Sequence, residues 1–109
     1  PAGKLDSKAE DPQAAAKREL LEETGAVAGE LIELGLFFPA CAYSDEAIHM
    51  YAAKSITFRE QKLDADEFLN VFTMPLEQAV QKVLAGEIWD AKTQTALLKV
   101  WLLRQQGRL

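Results

Sequence analysis

The polar and apolar positions of the chain sort it into one early helix, a strand-rich middle and two closing helices. Residues 1–10 are mostly polar and contain Gly3, which predicts a loop. Asp11-Pro12 reads as a helix start, because an aspartate caps free amides and proline fits the first helical position. Gln13 to Thr24 is rich in Ala, Leu, Glu, Lys and Arg, and Gly25 supplies a C-terminal stop. Leu31 to Phe38 and Ala47 to Phe58 are apolar and aromatic enough for strands, with a loop at Pro39 to Glu46 between them. Gln61 to Asp66 predicts a second loop, and Glu67 to Met74 a further strand containing Phe68 and Phe72. Leu76, Ala79, Val80, Val83 and Leu84 recur at i, i+3, i+4, i+7 and i+8, which is one helix face ended by Gly86. Asp90 can cap a last helix, where Ala96, Leu97, Val100 and Trp101 repeat that spacing. The order helix, strands, helices predicts an α/β or α+β layer fold.

Composition narrows the function classes. A chain of 109 residues suits one small domain, and no repeat or linker divides it. No apolar run approaches the roughly 20 residues of a membrane span, so no membrane partner is expected. Cys41 is the single cysteine, which excludes an internal disulfide framework and points to a reducing, cytoplasmic compartment. A net charge of −5 argues against a nucleic-acid-binding surface.

The sharpest chemical signal is Arg18-Glu19-Leu20-Leu21-Glu22-Glu23-Thr24-Gly25. On a helix, Glu19, Glu22 and Glu23 share an arc of roughly 100°. Like charges at i, i+4 repel unless something neutralises them. A hard divalent cation would do so, since Mg²⁺ accepts carboxylate oxygens and keeps waters for substrate phosphates. The alternative is a solvated face balanced by Lys17 and Arg18. Ala15 and Ala16 lie one turn earlier beside the same face and are too small to block a ligand. Leu20 and Leu21 point to opposite flanks, so the helix would pack on two sides with its acidic stripe facing a cleft.

Gly3, Glu10 and Arg18-Glu19-Leu20-Leu21-Glu22-Glu23-Thr24-Gly25-Ala26 together resemble the Nudix box, G-x5-E-x7-R-E-U-x-E-E-x-G-U, where U is aliphatic. Gly3 and Glu10 stand one residue further apart than the pattern asks, which reads as a loop insertion within Lys4 to Ala9. The resemblance implies a Nudix-like α/β/α sandwich with a mixed sheet and the box at residues 3–26. It also implies metal-dependent hydrolysis of a nucleoside diphosphate linked to another group. By motif position Glu19, Glu22 and Glu23 would ligate Mg²⁺ or Mn²⁺, with the carbonyl of Gly3. Arg18 would orient the carboxylates by pairing with Glu10 or a box glutamate.

Further segments are similar to those of ADP-ribose pyrophosphatases. They are Pro1-Ala2-Gly3-Lys4-Leu5-Asp6, Pro39 to Glu46, Leu63 to Phe68, and Gly86-Glu87-Ile88 with Asp90-Ala91-Lys92-Thr93. This implies ADP-ribose as substrate, with AMP and ribose 5-phosphate as products. Cys41 and Ala42 stand where that group carries proline and glycine, which leaves other sugar nucleotides open. Ser44, Asp45 and Glu46 are expected either to line the substrate pocket or to serve as loop turns. Glu67 is the expected general base from a mobile acidic loop, or else a solvated strand end. By the same resemblance the enzyme is expected to be a homodimer, and strands are expected before Pro1, so that residues 1–109 are one partial domain.

The remaining side chains carry less. His49 reads as structural and Cys41 as a small loop residue. Trp101 reads as core, and Trp89 as packing or a partner contact. Two competing readings are a non-catalytic Nudix scaffold that binds a ligand or dimerises, and a helical interaction domain docking through Val100 and Trp101.

Overall fold

The computed structural model describes residue 3, residues 10–59 and residues 71–109. Helix α1 spans Pro12–Thr24. Its start is fixed by the Asp11 carboxylate, which accepts from the Ala14 amide at 3.1 Å, and by Pro12 in the first turn. Its end is fixed by Gly25, whose φ of 75° is left-handed and whose amide donates to the Leu21 carbonyl at 2.8 Å. The Thr24 hydroxyl donates to the Leu20 carbonyl and accepts from the Ala26 amide, so the chain turns directly into a strand.

Four strands follow: β1 at Ala26–Val27, β2 at Glu30–Phe37, β3 at Ile48–Lys54 and β4 at Thr57–Phe58. Among the described residues they form two two-stranded ladders. β1 pairs antiparallel with β4 in the register Ala26 to Phe58 and Val27 to Thr57, and β2 pairs with β3. The single strand expected over Ala47 to Phe58 is therefore two. Ser55 breaks it with a left-handed φ of 54°. The Gly29 amide sits against this break, donating to both the Lys54 and Ser55 carbonyls at 3.0 and 3.1 Å. β1 has too few residues for any period to show in sequence.

Helix α2 spans Leu76–Leu84 and α3 spans Ala91–Gln105. The apolar face read from sequence is the one α2 buries, through Ala79, Val80 and Val83, while Leu84 stays exposed. Asp90 caps α3, accepting from the Thr93 amide at 2.9 Å. α3 buries no residue fully, and Trp101 is half-buried rather than enclosed. The strand expected over Glu67 to Met74 lies outside the described residues up to position 70, and residues 71–74 take no regular structure.

The chain divides into two compact units. One comprises Pro1–Ile32 and Ala53–Phe72, the other Glu33–Ala52 and Thr73–Leu109. In the first, α1 packs on β1, with Ala15 and Ala26 buried. In the second, α2 packs on α3, with Leu34, Met50, Ala79, Val80 and Val83 buried. There the Lys99 ammonium of α3 donates to the Leu34 carbonyl of β2. Among the described residues no helix is long and apolar enough to cross a membrane. The helices and strands give an α+β fold, the class expected.

Candidate active site

α1 carries Arg18 midway along its length, and Glu10, just before the helix, lies beside it. Arg18 spreads its guanidinium over three carboxylates. Its Nε and Nη2 donate to the two oxygens of Glu10, both at 3.3 Å. Its Nη1 donates to Glu19 at 2.9 Å and to Glu22 at 3.4 Å. This is a planar fork used fully, a geometry that a lysine ammonium does not reproduce.

The carboxylates differ in access. The Glu19 side chain is 19% exposed and that of Glu22 is 44%, so Glu22 is the more open to a ligand from solvent. Glu23 is half-buried on the next position of the helix. Gly3 lies against the Glu19 carboxylate so closely that a Cβ at position 3 would overlap the Glu19 carboxyl group. The first residue of the box thus meets its helical part, and a side chain at position 3 would have to displace the Glu19 carboxylate. Ala15 is 5% exposed, so the acidic face is covered at its N-terminal end instead of being open there.

Among the described residues no group of three or more His, Cys, Asp and Glu side chains converges as a ready-made metal cage. The donor set nevertheless suits a hard divalent cation. Mg²⁺ is commonly held by one or two carboxylates while water and substrate phosphates supply the other ligands, so no all-protein cage is required.

The other residues singled out in sequence lie elsewhere. Ser44, Asp45 and Glu46 are exposed in the loop between β2 and β3, within the second unit. There the Ser44 hydroxyl accepts from the Glu46 amide at 3.0 Å, and the Tyr43 and Ser44 amides both donate to the Ala40 carbonyl. His49 is exposed on β3. Trp89 is 88% exposed, with its indole N–H on the Gly86 carbonyl. Glu67 lies outside the described residues.

Sequence reasoning missed one basic residue beside this cluster, Arg59. Lys17, Arg18 and Arg59 line one depression of about 210 Å³ next to α1. Lys17 reads in sequence only as a charge that balances the acidic face. Arg59 has no local signal, because the β1–β4 ladder alone brings it there.

Comparison with known proteins bears on most of the chain. The model of the NUDIX domain matches residues 1–97. The chain is 41% identical over 99 residues to an ADP-ribose pyrophosphatase of Bacillus subtilis, covering 89% of this chain and 53% of that protein. It is 40% identical, with the same coverage, to a methanol dehydrogenase activator of Bacillus methanolicus. It is 33% identical over 95 residues to a GDP-mannose pyrophosphatase of Citrobacter koseri, covering 84% of this chain and 49% of that one. The chain spans about half the length of these curated relatives. With the family model matched across most of its length, and with the Arg18 fork and the Gly3–Glu19 contact joining the start of the box to its helix, the chain belongs to the NUDIX domain family.

Proposed function

We propose that this chain carries the metal-binding part of a pyrophosphohydrolase that cleaves sugar-linked nucleoside diphosphates. ADP-ribose, giving AMP and ribose 5-phosphate, is the first substrate to test. The observation that carries this reading is the single guanidinium holding Glu10, Glu19 and Glu22 in one cluster. A solvated charge stripe has no need of a fork that reaches back eight positions, or of a glycine pressed on one of its carboxylates.

In this reading Glu19, Glu22 and Glu23, with the Gly3 carbonyl, hold Mg²⁺ or Mn²⁺. When bound, such a cation offsets diphosphate charge and lowers the pKa of its water. Arg18 and Glu10 act as a positioning pair that keeps Glu19 and Glu22 in place. Glu67 is the proposed general base, and Ser44, Asp45 and Glu46 are proposed to contact substrate. The homodimeric state and the cytoplasmic location belong to the same proposal, as does the assignment of residues 1–109 to one partial domain.

A GDP-mannose-type substrate is the second reading. It is favoured by the GDP-mannose pyrophosphatase relatives and by Cys41 and Ala42, which depart from the ADP-ribose loop pattern. A panel of ADP-ribose, GDP-mannose and other nucleoside diphosphate sugars, with Mg²⁺ or Mn²⁺ and product identification, separates the two. Release of AMP from ADP-ribose supports the first. Absence of turnover across the panel, with calorimetric binding of ADP-ribose retained, would establish a non-catalytic scaffold instead. Glu22→Gln or Glu23→Gln should abolish metal-dependent turnover while leaving the circular dichroism spectrum unchanged.

A further inference from the structure

We propose that the depression beside α1 is an anion site for a phosphomonoester group, with Lys17 and Arg59 as its charge-bearing walls. This goes beyond the hydrolase reading and does not need it. The depression, about 210 Å³, lies within one compact unit and includes Lys17, Arg18, Leu21, Ala26, Val27 and Arg59 in its lining.

The three cations are not equivalent. The positive charge of Arg18 is already met by Glu10, Glu19 and Glu22. The side chains of Lys17 and Arg59 form no hydrogen bond or ion pair among the described residues. Two residues with unmet positive charge therefore line the same hollow. The rest of its lining is apolar, formed by Leu21, Ala26, Val27 and Ala28. Low-dielectric walls focus the field of such charges and raise the local concentration of anions.

The site rests on fixed elements. Lys17 projects from α1, and Arg59 follows directly on β4. The Arg59 backbone amide donates to the Gly25 carbonyl, which ties this residue to the end of α1. A doubly charged phosphate matches two cations better than a carboxylate does, and its oxygens accept from both a guanidinium and an ammonium. The apolar lining suits the organic part of a nucleoside or sugar phosphate. Free phosphate shares the charge but not that part.

The test is an NMR titration of the full chain, kept metal-free with EDTA and at constant ionic strength. The probes are inorganic phosphate, AMP and ribose 5-phosphate. Saturable shifts at the amides of Lys17, Leu21, Val27 and Arg59 are expected. Tighter binding of AMP or ribose 5-phosphate than of phosphate identifies an organic phosphomonoester as the ligand, and equal binding identifies free phosphate. The double variant Lys17→Gln/Arg59→Gln should weaken binding about tenfold or more, and Lys17→Arg should retain it. Absence of saturable shifts with every probe overturns the proposal. So does unchanged affinity in the double variant, provided its circular dichroism spectrum matches the parent. No turnover is read in this experiment, so failure of the hydrolase reading would leave its outcome untouched.

Discussion

Replacing Arg18 by glutamine tests the candidate site through stability alone. The substitution removes a cation that bridges Glu10, Glu19 and Glu22. These pairs are part-exposed, with the Arg18 side chain 27% accessible, so each is discounted for solvent screening. At about 0.2–1 kcal/mol for each of three contacts, the loss is about 0.6–3 kcal/mol. For a chain of this size that lowers the melting temperature by about 2–20 °C. Losing the cation also leaves Glu19 and Glu22 one helix turn apart without their shared counterion.

A divalent cation should then restore only part of that stability. Ligand binding to the folded state alone stabilises by about 2.7 kcal/mol at a hundredfold excess over Kd. Thermal melts of the parent and of Arg18→Gln, with EDTA and with millimolar Mg²⁺ or Mn²⁺, read this directly. Both proteins should gain stability with metal, and the variant should gain less than the parent, because the pair that positions Glu19 and Glu22 is broken. Arg18→Lys should fall between the two in EDTA, since it keeps the charge but loses the fork. A variant melting within about 1 °C of the parent in EDTA would refute the stabilising role assigned to the fork. Melts insensitive to either cation in both proteins would refute the metal site, leaving a structural ion-pair network.

Other predictions follow from single contacts. Gly3→Ala places a methyl against the flexible end of Glu19, so stability should fall by only about 1 kcal/mol. Turnover should drop about a hundredfold, because displacing a ligand carboxylate by about 1 Å is costly; wild-type turnover in this variant would remove Glu19 from the chemistry. The hydrogen bond from the Lys92 ammonium, followed by those from the Thr93 hydroxyl and amide, lowers the Asp90 pKa from 3.8 to about 2. A depressed carboxylate pKa stabilises the fold above the unfolded value, so this contribution is present above about pH 4 and lost as pH falls through about 2. Helicity of α3, followed at the Thr93 amide, should fall across that window in the parent, and Asp90→Asn should remove the dependence.

Much of the site could be read from the sequence because it is local. The Asp11 cap, Pro12 and the Gly25 stop lie within one helix, and the acidic face needs only the helical repeat to assemble. What could not be read depends on contacts between distant residues. Ser55 splits an expected strand because Gly29, far away in the chain, donates to two successive carbonyls at the break. Ala15 lies on the same face as Glu19 by helical spacing, yet it is buried, because helical period says which residues align and not where that face is covered.

The Glu10–Arg18 pair shows the boundary between these cases. No helical periodicity joins positions 10 and 18, since Glu10 precedes the helix. Their contact exists because the cap at Asp11 and Pro12 fixes the angle at which the chain enters α1, and that angle sets Glu10 along the side of the helix where the guanidinium reaches it. The cap therefore supports the candidate site as well as the helix. Replacing Asp11 by alanine removes the side-chain acceptor at the Ala14 amide and should cost about 1 kcal/mol of stability. It should also loosen the Glu10–Arg18 contact, and so reduce metal affinity at a residue that touches none of the ligands. If metal affinity is unchanged while stability falls, helix entry and site geometry are independent, and Glu10 is held to Arg18 by its own ion pair alone.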